Sequence, residues 1–132
     1  MLDRINAIVL AVRDVKKCAV FYRDKLGFRL DQLEEDEAYL NTGVGGGTVL
    51  AIKSMRLLDK EIGEGRIRPE KEGLKMSHCV VFVGDIDKEY IELKQRGVNF
   101  VKPPTDQEGG WRTAHFEDPE GNLWEISQRP KK

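Results

Sequence analysis

The sequence predicts an α+β fold made of two βαβββ modules, each a curled, mostly antiparallel four-stranded sheet backed by one helix. Two observations support this prediction: a strand, cap, helix and glycine pattern occurs twice, and short β-branched apolar runs alternate with turn residues. A long charged segment separates the two copies. We place module one at 4–53, the linker at 54–76 and module two at 77–128, within a single domain over 1–132.

Module one begins with an apolar, β-branched run over 4–12, which predicts a buried strand. Asp14 is a predicted helix N-cap, and the apolar residues after it recur at helical spacing. Gly27 is suited to follow the end of that helix, because glycine tolerates the left-handed conformation. Three further strands are predicted over 28–33, 38–41 and 48–53.

Module two repeats this order. A strand is predicted over 77–83, followed by the N-cap Asp85, a helix and then Gly97. Asp85 lies 71 residues after Asp14, and chance rarely produces a matching strand, cap, helix and glycine. The remaining predicted elements are a strand over 98–101, a loop over 102–110, a strand over 112–117, a type I turn at 118–121 and a last strand from 123.

The linker 54–76 is charged and is interrupted by several glycines and one proline. Its few apolar residues are sufficient for one short helical turn. Connections of this length are often functional or mobile. We therefore interpret the segment as an excursion between the two modules.

Composition narrows the class of protein. The net charge of -1 comes without a cluster of basic residues, which argues against nucleic-acid binding. No apolar run approaches the roughly 20 residues of a membrane span, and the N-terminus does not resemble a signal peptide. The two cysteines, Cys18 and Cys79, are expected to be free thiols in a reducing cytoplasm.

The repeat exposes an asymmetry between the modules. Strand alternation places His78 on the face away from the helix, and it places Glu125 on the same side of its own strand. When the two modules are aligned, Ala7 corresponds to His78 and Ala51 corresponds to Glu125. One module thus offers an imidazole and a carboxylate where the other offers two methyl groups.

The segment from Asp14 to Phe28 and the segment from Phe116 to Glu125, with its Asp-Pro-x-Gly-Asn turn, resemble the vicinal oxygen chelate superfamily. This is the group of glyoxalases, bleomycin-resistance proteins and extradiol dioxygenases, and the resemblance covers residues 4–128. It implies paired modules that curl into an incomplete barrel around a small-molecule cavity. It also implies a homodimer in which each cavity is built from modules of two chains.

Enzymes of that superfamily bind a divalent metal through a histidine on the first strand and a carboxylate on the last strand of a module. The resemblance therefore implies that His78 and Glu125 are metal ligands, for Zn, Ni, Fe or Mn. Ala7 and Ala51 have no donor atom where further ligands are expected. Only His78 and Glu125 remain as ligands at the expected positions. The metal site is therefore degenerate, since stable sites usually have three or more ligands.

His115 is the one further candidate for a ligand. Alternation places it on the cavity side, where it could bind metal, act as a general acid or base, or contact a ligand. Phe82, Trp111, Arg112 and His115 are predicted to line the ligand pocket. An aromatic ring and a guanidinium are suited to a planar or anionic ligand.

Three functions remain open from sequence. The first is a small-molecule-binding protein with a degenerate metal site, of the drug-sequestering kind. The second is a metal-dependent lyase, isomerase, transferase or dioxygenase acting on a substrate with vicinal oxygens. The third is a ligand-free structural or regulatory dimer.

Overall fold

The computed structural model describes residues 1–43, 47–68 and 77–131, which form two four-stranded mixed sheets and three α-helices. The chain divides into two compact units, Met1–Glu70 and Lys71–Lys132. This is the predicted α+β class with eight strands. None of the described helices has the length and apolar character needed to cross a membrane.

Unit one contains one four-stranded sheet with the strand order β1-β4-β3-β2, and β1 runs parallel to β4. Its elements are β1 (Ala7–Val12), α1 (Val15–Asp24), β2 (Arg29–Leu33), β3 (Glu37–Asn41), β4 (Val49–Ser54) and α2 (Met55–Ile62). The Asp14 carboxylate accepts a hydrogen bond from the Lys17 amide at 3.0 Å, which confirms the predicted N-cap. Tyr22 from the helix and Leu40 and Ile52 from the sheet are fully buried in the core.

Unit two repeats this arrangement with the strand order β5-β8-β7-β6. Its elements are β5 (Cys79–Phe82), α3 (Ile86–Gln95), β6 (Asn99–Asp106), β7 (Arg112–Glu117) and β8 (Leu123–Gln128), with a 3₁₀ turn at Glu108–Gly110. Its core is aromatic: the Phe116 ring centroid lies 5.4 Å from that of Phe100 and 6.1 Å from that of Trp124. Asp85 caps α3 through the Lys88 amide at 3.2 Å, as predicted.

Predictions for three elements were wrong. The run 4–12 is β-strand only from Ala7, and Ile8 and Val9 on it are exposed rather than buried. The predicted loop 102–110 is β-strand as far as Asp106, because β6 is an edge strand in which Pro103 and Pro104 need not donate to the ladder. The pairing of β6 with β7 shifts register on either side of Lys102, which accommodates these prolines.

The start of the predicted linker is also more regular than expected. Residues 55–62 form the two-turn helix α2, whose N-cap Ser54 accepts from the Leu57 amide at 3.2 Å. Leu58 is buried and anchors the helix. The predicted single turn was too short, and residues 69–76 of the linker lie outside the described chain.

Both cysteines are free thiols, as expected. Cys18 is fully buried in the core of unit one. Cys79 is half-buried on β5, and burial raises the pKa of its thiol. Neither environment favours the reactive thiolate.

Candidate metal centre on the second sheet

Three neighbouring strands of unit two carry the candidate site. His78 immediately precedes β5, His115 lies on β7 and Glu125 lies on β8, the strand between them in the sheet. His115 and Glu125 are direct cross-strand partners, and Glu125 pairs on its other side with Val80. Ala114 and Phe116, next to His115, are buried on the helix side, so alternation places His115 on the opposite face.

The polar atoms of these three side chains converge. Glu125 Oε1 lies 2.9 Å from His115 Nε2 and 3.4 Å from His78 Nε2. One ligand atom from each residue lies within 4.8 Å of the other two. The side chains of His115 and Glu125 are 22% and 18% exposed, whereas that of His78 is 39% exposed. The cluster is therefore sheltered at its base and open on the side of His78.

These separations suit one shared cation. Bonds of about 2.1 Å from a divalent metal to nitrogen or oxygen place neighbouring ligand atoms about 3.0 to 3.4 Å apart. The two distances measured from Glu125 Oε1 fall close to this range. Two imidazoles and one carboxylate also form a donor set that leaves coordination positions open for a substrate. The residues present therefore fit a divalent metal.

Strand register confirms how the two modules correspond. Val9 of β1 pairs with Ala51 of β4, just as Val80 of β5 pairs with Glu125 of β8. The same alignment places Tyr39, the β3 partner of Ala51, where unit two has His115. Burial raises the pKa of the Tyr39 phenol, and its hydrogen bond with Glu37 acts in the same direction.

The structure does not bring Arg112 to this cluster. Its guanidinium is bound by Asp87 on α3 at 2.9 and 3.2 Å and by Asp106 at 3.0 Å. The hydrogen bond from Arg112 lowers the pKa of the Asp87 carboxyl. Arg112 pairs with Gln128, which accepts from the Ile86 amide of α3, so both residues belong to the helix side. The predicted contact between Arg112 and a ligand stays a prediction, and the ion pairs of Arg112 with Asp87 and Asp106 do not favour it.

Phe82 and Trp111, by contrast, do meet. Their ring centroids are 5.5 Å apart with an interplanar angle of 49°. Arg129, which the sequence interpretation missed, places its guanidinium carbon 4.8 Å from the centroid of the Phe82 ring. Alternation along the last strand places Arg129 on the same face as Glu125 and Ser127, and this pattern could have identified it. The charged C-terminal tail that follows Arg129 obscured the pattern.

The chain is similar to known proteins along nearly its whole length. Residues 4–126 match the family model described as Glyoxalase/Bleomycin resistance protein/Dioxygenase superfamily. YraH of Bacillus subtilis, an uncharacterised protein, is 35% identical over 93% of this chain and 96% of its own. The metallothiol transferase FosB of Staphylococcus epidermidis is 29% identical over 96% of this chain and 84% of its own.

Solved structures agree with the sequence relatives. A glyoxalase/bleomycin resistance protein/dioxygenase from Nocardioides superposes with a TM-score of 0.83 at 26% identity, covering 99% of this chain and 86% of that one. The two-sheet architecture, the repeated strand order and the family match lead to one assignment. The chain belongs to the glyoxalase/bleomycin resistance protein/dioxygenase superfamily.

Proposed function

We propose that this protein is a divalent-metal-dependent enzyme that acts on a small molecule with two neighbouring oxygens. His78, His115 and Glu125 are its proposed metal ligands. The observation that supports this proposal is the convergence of three donor atoms within 4.8 Å on one sheet face. The family resemblance implies two ligands, His78 and Glu125, and the proximity of a third donor, His115, favours the enzyme over the binding protein.

A bound divalent cation would supply Lewis-acid polarisation of the substrate oxygens. The Glu125 carboxylate would offset part of the cation charge, while the imidazoles of His78 and His115 supply neutral donors. His115 Nε2 and Glu125 Oε1, the atoms that would bind the cation, lie within hydrogen-bond distance of each other, which holds the two side chains together on the sheet face. The open side next to His78 leaves room for substrate.

The name of FosB, a metallothiol transferase, is consistent with metal-dependent chemistry in a relative that aligns over 96% of this chain. Among the reaction classes that the sequence leaves open, this relative favours a transferase. The second candidate function is ligand sequestration without metal. It is supported by Ala7 and Ala51 and by the direct His115–Glu125 contact, which is also a reasonable charge-assisted hydrogen bond.

Elemental analysis of tag-free protein, purified without chelator, tests the proposal. A polyhistidine tag must be absent, since the chain has only two histidines of its own. We expect about one equivalent of Zn, Ni, Fe or Mn per chain. We expect His78→Ala, His115→Ala and Glu125→Ala each to lower metal occupancy at least tenfold.

Glu117→Gln is the matched control, because Glu117 is a carboxylate two residues from His115 on the same strand and face. This variant should keep its metal. NMR of the imidazole groups gives a second readout. The signals of both histidines should shift when metal is added to protein from which a chelator has removed the metal. Wild-type protein that takes up no metal, yet binds an aromatic compound, would overturn the enzyme in favour of sequestration.

We also propose a homodimer, the arrangement that the family resemblance implies. We propose the cytoplasm as its location, on the basis of the two free cysteines. Light scattering coupled to size-exclusion chromatography would report the mass in solution. A mass close to twice 15.1 kDa is expected. A mass close to that of one chain at micromolar concentration contradicts this part of the proposal.

A further inference from the structure

We infer that the substrate carries an aromatic ring with an anionic group, bound by a cation–aromatic platform made of Phe82, Trp111 and Arg129. This inference rests on the proposed function, because the platform lies on the same sheet face as the proposed metal ligands. It names the chemical class of the substrate, which family membership leaves open.

The platform continues the face of the metal site. Phe82 follows His78 by four residues on the same side of β5, a distance of about 13 Å along an extended strand. Phe82 pairs with Ser127, which lies two residues after Glu125 on the same face of β8. A ligand long enough to span this distance along the sheet face would therefore bind at the metal with one end and at the platform with the other.

The side chains of the platform are already arranged against one another. The Trp111 ring lies 5.5 Å from the Phe82 ring, and the Arg129 guanidinium carbon lies 4.8 Å from the same Phe82 centroid. Phe82 nevertheless remains 54% exposed. Beside it on this face, Ser127 and Thr113 are only 3% and 8% exposed, which gives the site a closed floor.

Charge identifies the second half of the ligand. Within the described chain, Arg129 contacts the Phe82 ring and has no carboxylate partner, whereas Arg112 is bound by Asp87 and Asp106. The guanidinium of Arg129 therefore lies over the Phe82 ring while its donors are available to an anion. An aromatic anion uses both features, and a neutral ring or an aliphatic anion uses only one.

Naphthalene-2-sulfonate is a suitable probe, because a sulfonate is a poor metal ligand and will not bind simply through the cation. Its affinity is measured by calorimetry against 2-naphthylmethanol, which lacks the charge, and cyclohexanesulfonate, which lacks the aromatic ring. We expect the sulfonated ring to bind at least fivefold more tightly than either analogue. Of the two tryptophan indole signals in the NMR spectrum, that of Trp111 should shift, and that of buried Trp124 should not.

Variants separate the contributions. Arg129→Gln and Phe82→Leu should each weaken binding of the sulfonate about fivefold to tenfold. Arg129→Lys, which keeps the charge but loses the planar fork, should fall in between. Arg96→Gln, at the C-cap of α3 on the helix side of the sheet, is the matched control and should bind like wild type.

Metal content is determined on the same samples, so that the two proposals fail separately. Sulfonate binding that persists in Glu125→Gln protein without metal supports the platform even if the metal centre is refuted. Metal-loaded protein that binds the three probes equally, or an unmoved Trp111 signal in the wild type, overturns the platform and leaves the metal centre intact. The wild-type NMR result decides the matter even if a variant fails to fold.

Discussion

Glu125 lies between the only two histidines of the chain. Its Oε1 atom is 2.9 Å from Nε2 of His115 and 3.4 Å from Nε2 of His78. Alternation along each strand predicted the face of His78, His115 and Glu125 correctly. Their mutual distances depend on register between strands, which residue periodicity does not contain. The candidate site could therefore be predicted as a face, while its three-donor geometry required the structure.

Asp118 holds the β7–β8 turn together through its buried carboxylate. Its side chain, 5% exposed, accepts from the Glu120 amide and from both the amide and the side-chain nitrogen of Asn122, each at 2.8 Å. The Gly121 amide binds the Asp118 carbonyl at 3.0 Å, which confirms the predicted turn. This turn fixes the register that places His115 opposite Glu125.

We expect Asp118→Ala to lower the free energy of unfolding by about 3 kcal/mol, because three part-buried donors lose their acceptor. Urea unfolding followed by circular dichroism measures the change. Asp85→Ala serves for comparison: it removes one exposed N-cap bond and should cost about 1 kcal/mol. Equal costs for the two substitutions would contradict the importance assigned to the turn.

At the scale of whole elements, caps and glycines predicted the two long helices well, because both signals act locally in the chain. The strand β6 was predicted too short, since Pro103 and Pro104 normally end a strand. Only the position of β6 at the sheet edge makes these residues acceptable, and edge position is a property of the sheet rather than of the segment. The helix α2 was underestimated for a similar reason, because burial of Leu58 stabilises it from outside the segment.

The end of α1 gives a test that separates backbone strain from crowding. Gly27 has φ = 81°, and a Cβ added there would meet nothing within 4 Å. We therefore expect Gly27→Ala to destabilise the protein by about 1 kcal/mol through backbone conformation alone. The measurement is the urea midpoint at constant slope.

Gly84 is the matched control, because a Cβ added there would also find open space, while its backbone lacks a positive φ. We expect Gly84→Ala to be neutral or to stabilise by about 0.5 kcal/mol, as it restricts the unfolded chain. If both substitutions change stability in the same direction and by the same amount, the conformational explanation for Gly27 is wrong.

At the scale of the molecule, duplication explains why the fold was easier to predict than the site. Both units keep the strand order and the cap, while the facing side chains have diverged: Tyr39 and Ala51 in unit one correspond to His115 and Glu125 in unit two. Shared architecture repeats in the sequence and can be recognised there. The site side chains differ between the units and so do not repeat in the sequence. The pairing register of the strands in the structure is needed to locate them.

That divergence leads to a prediction for the whole chain. We expect one metal ion to bind per chain, in unit two. A ligand that binds only the folded state stabilises that state, by an amount set by the ligand concentration relative to its dissociation constant. At about one hundred times that constant the gain is about 2.7 kcal/mol, which corresponds to a rise in Tm of about 8 °C for a chain of this size. Differential scanning calorimetry of chelator-stripped protein, titrated with each divalent metal, measures the rise. Glu125→Gln should abolish it, whereas Tyr39→Phe, at the position of unit one that corresponds to His115, should leave it within about 1 °C of wild type. An equal loss in both variants would contradict a single metal centre in unit two.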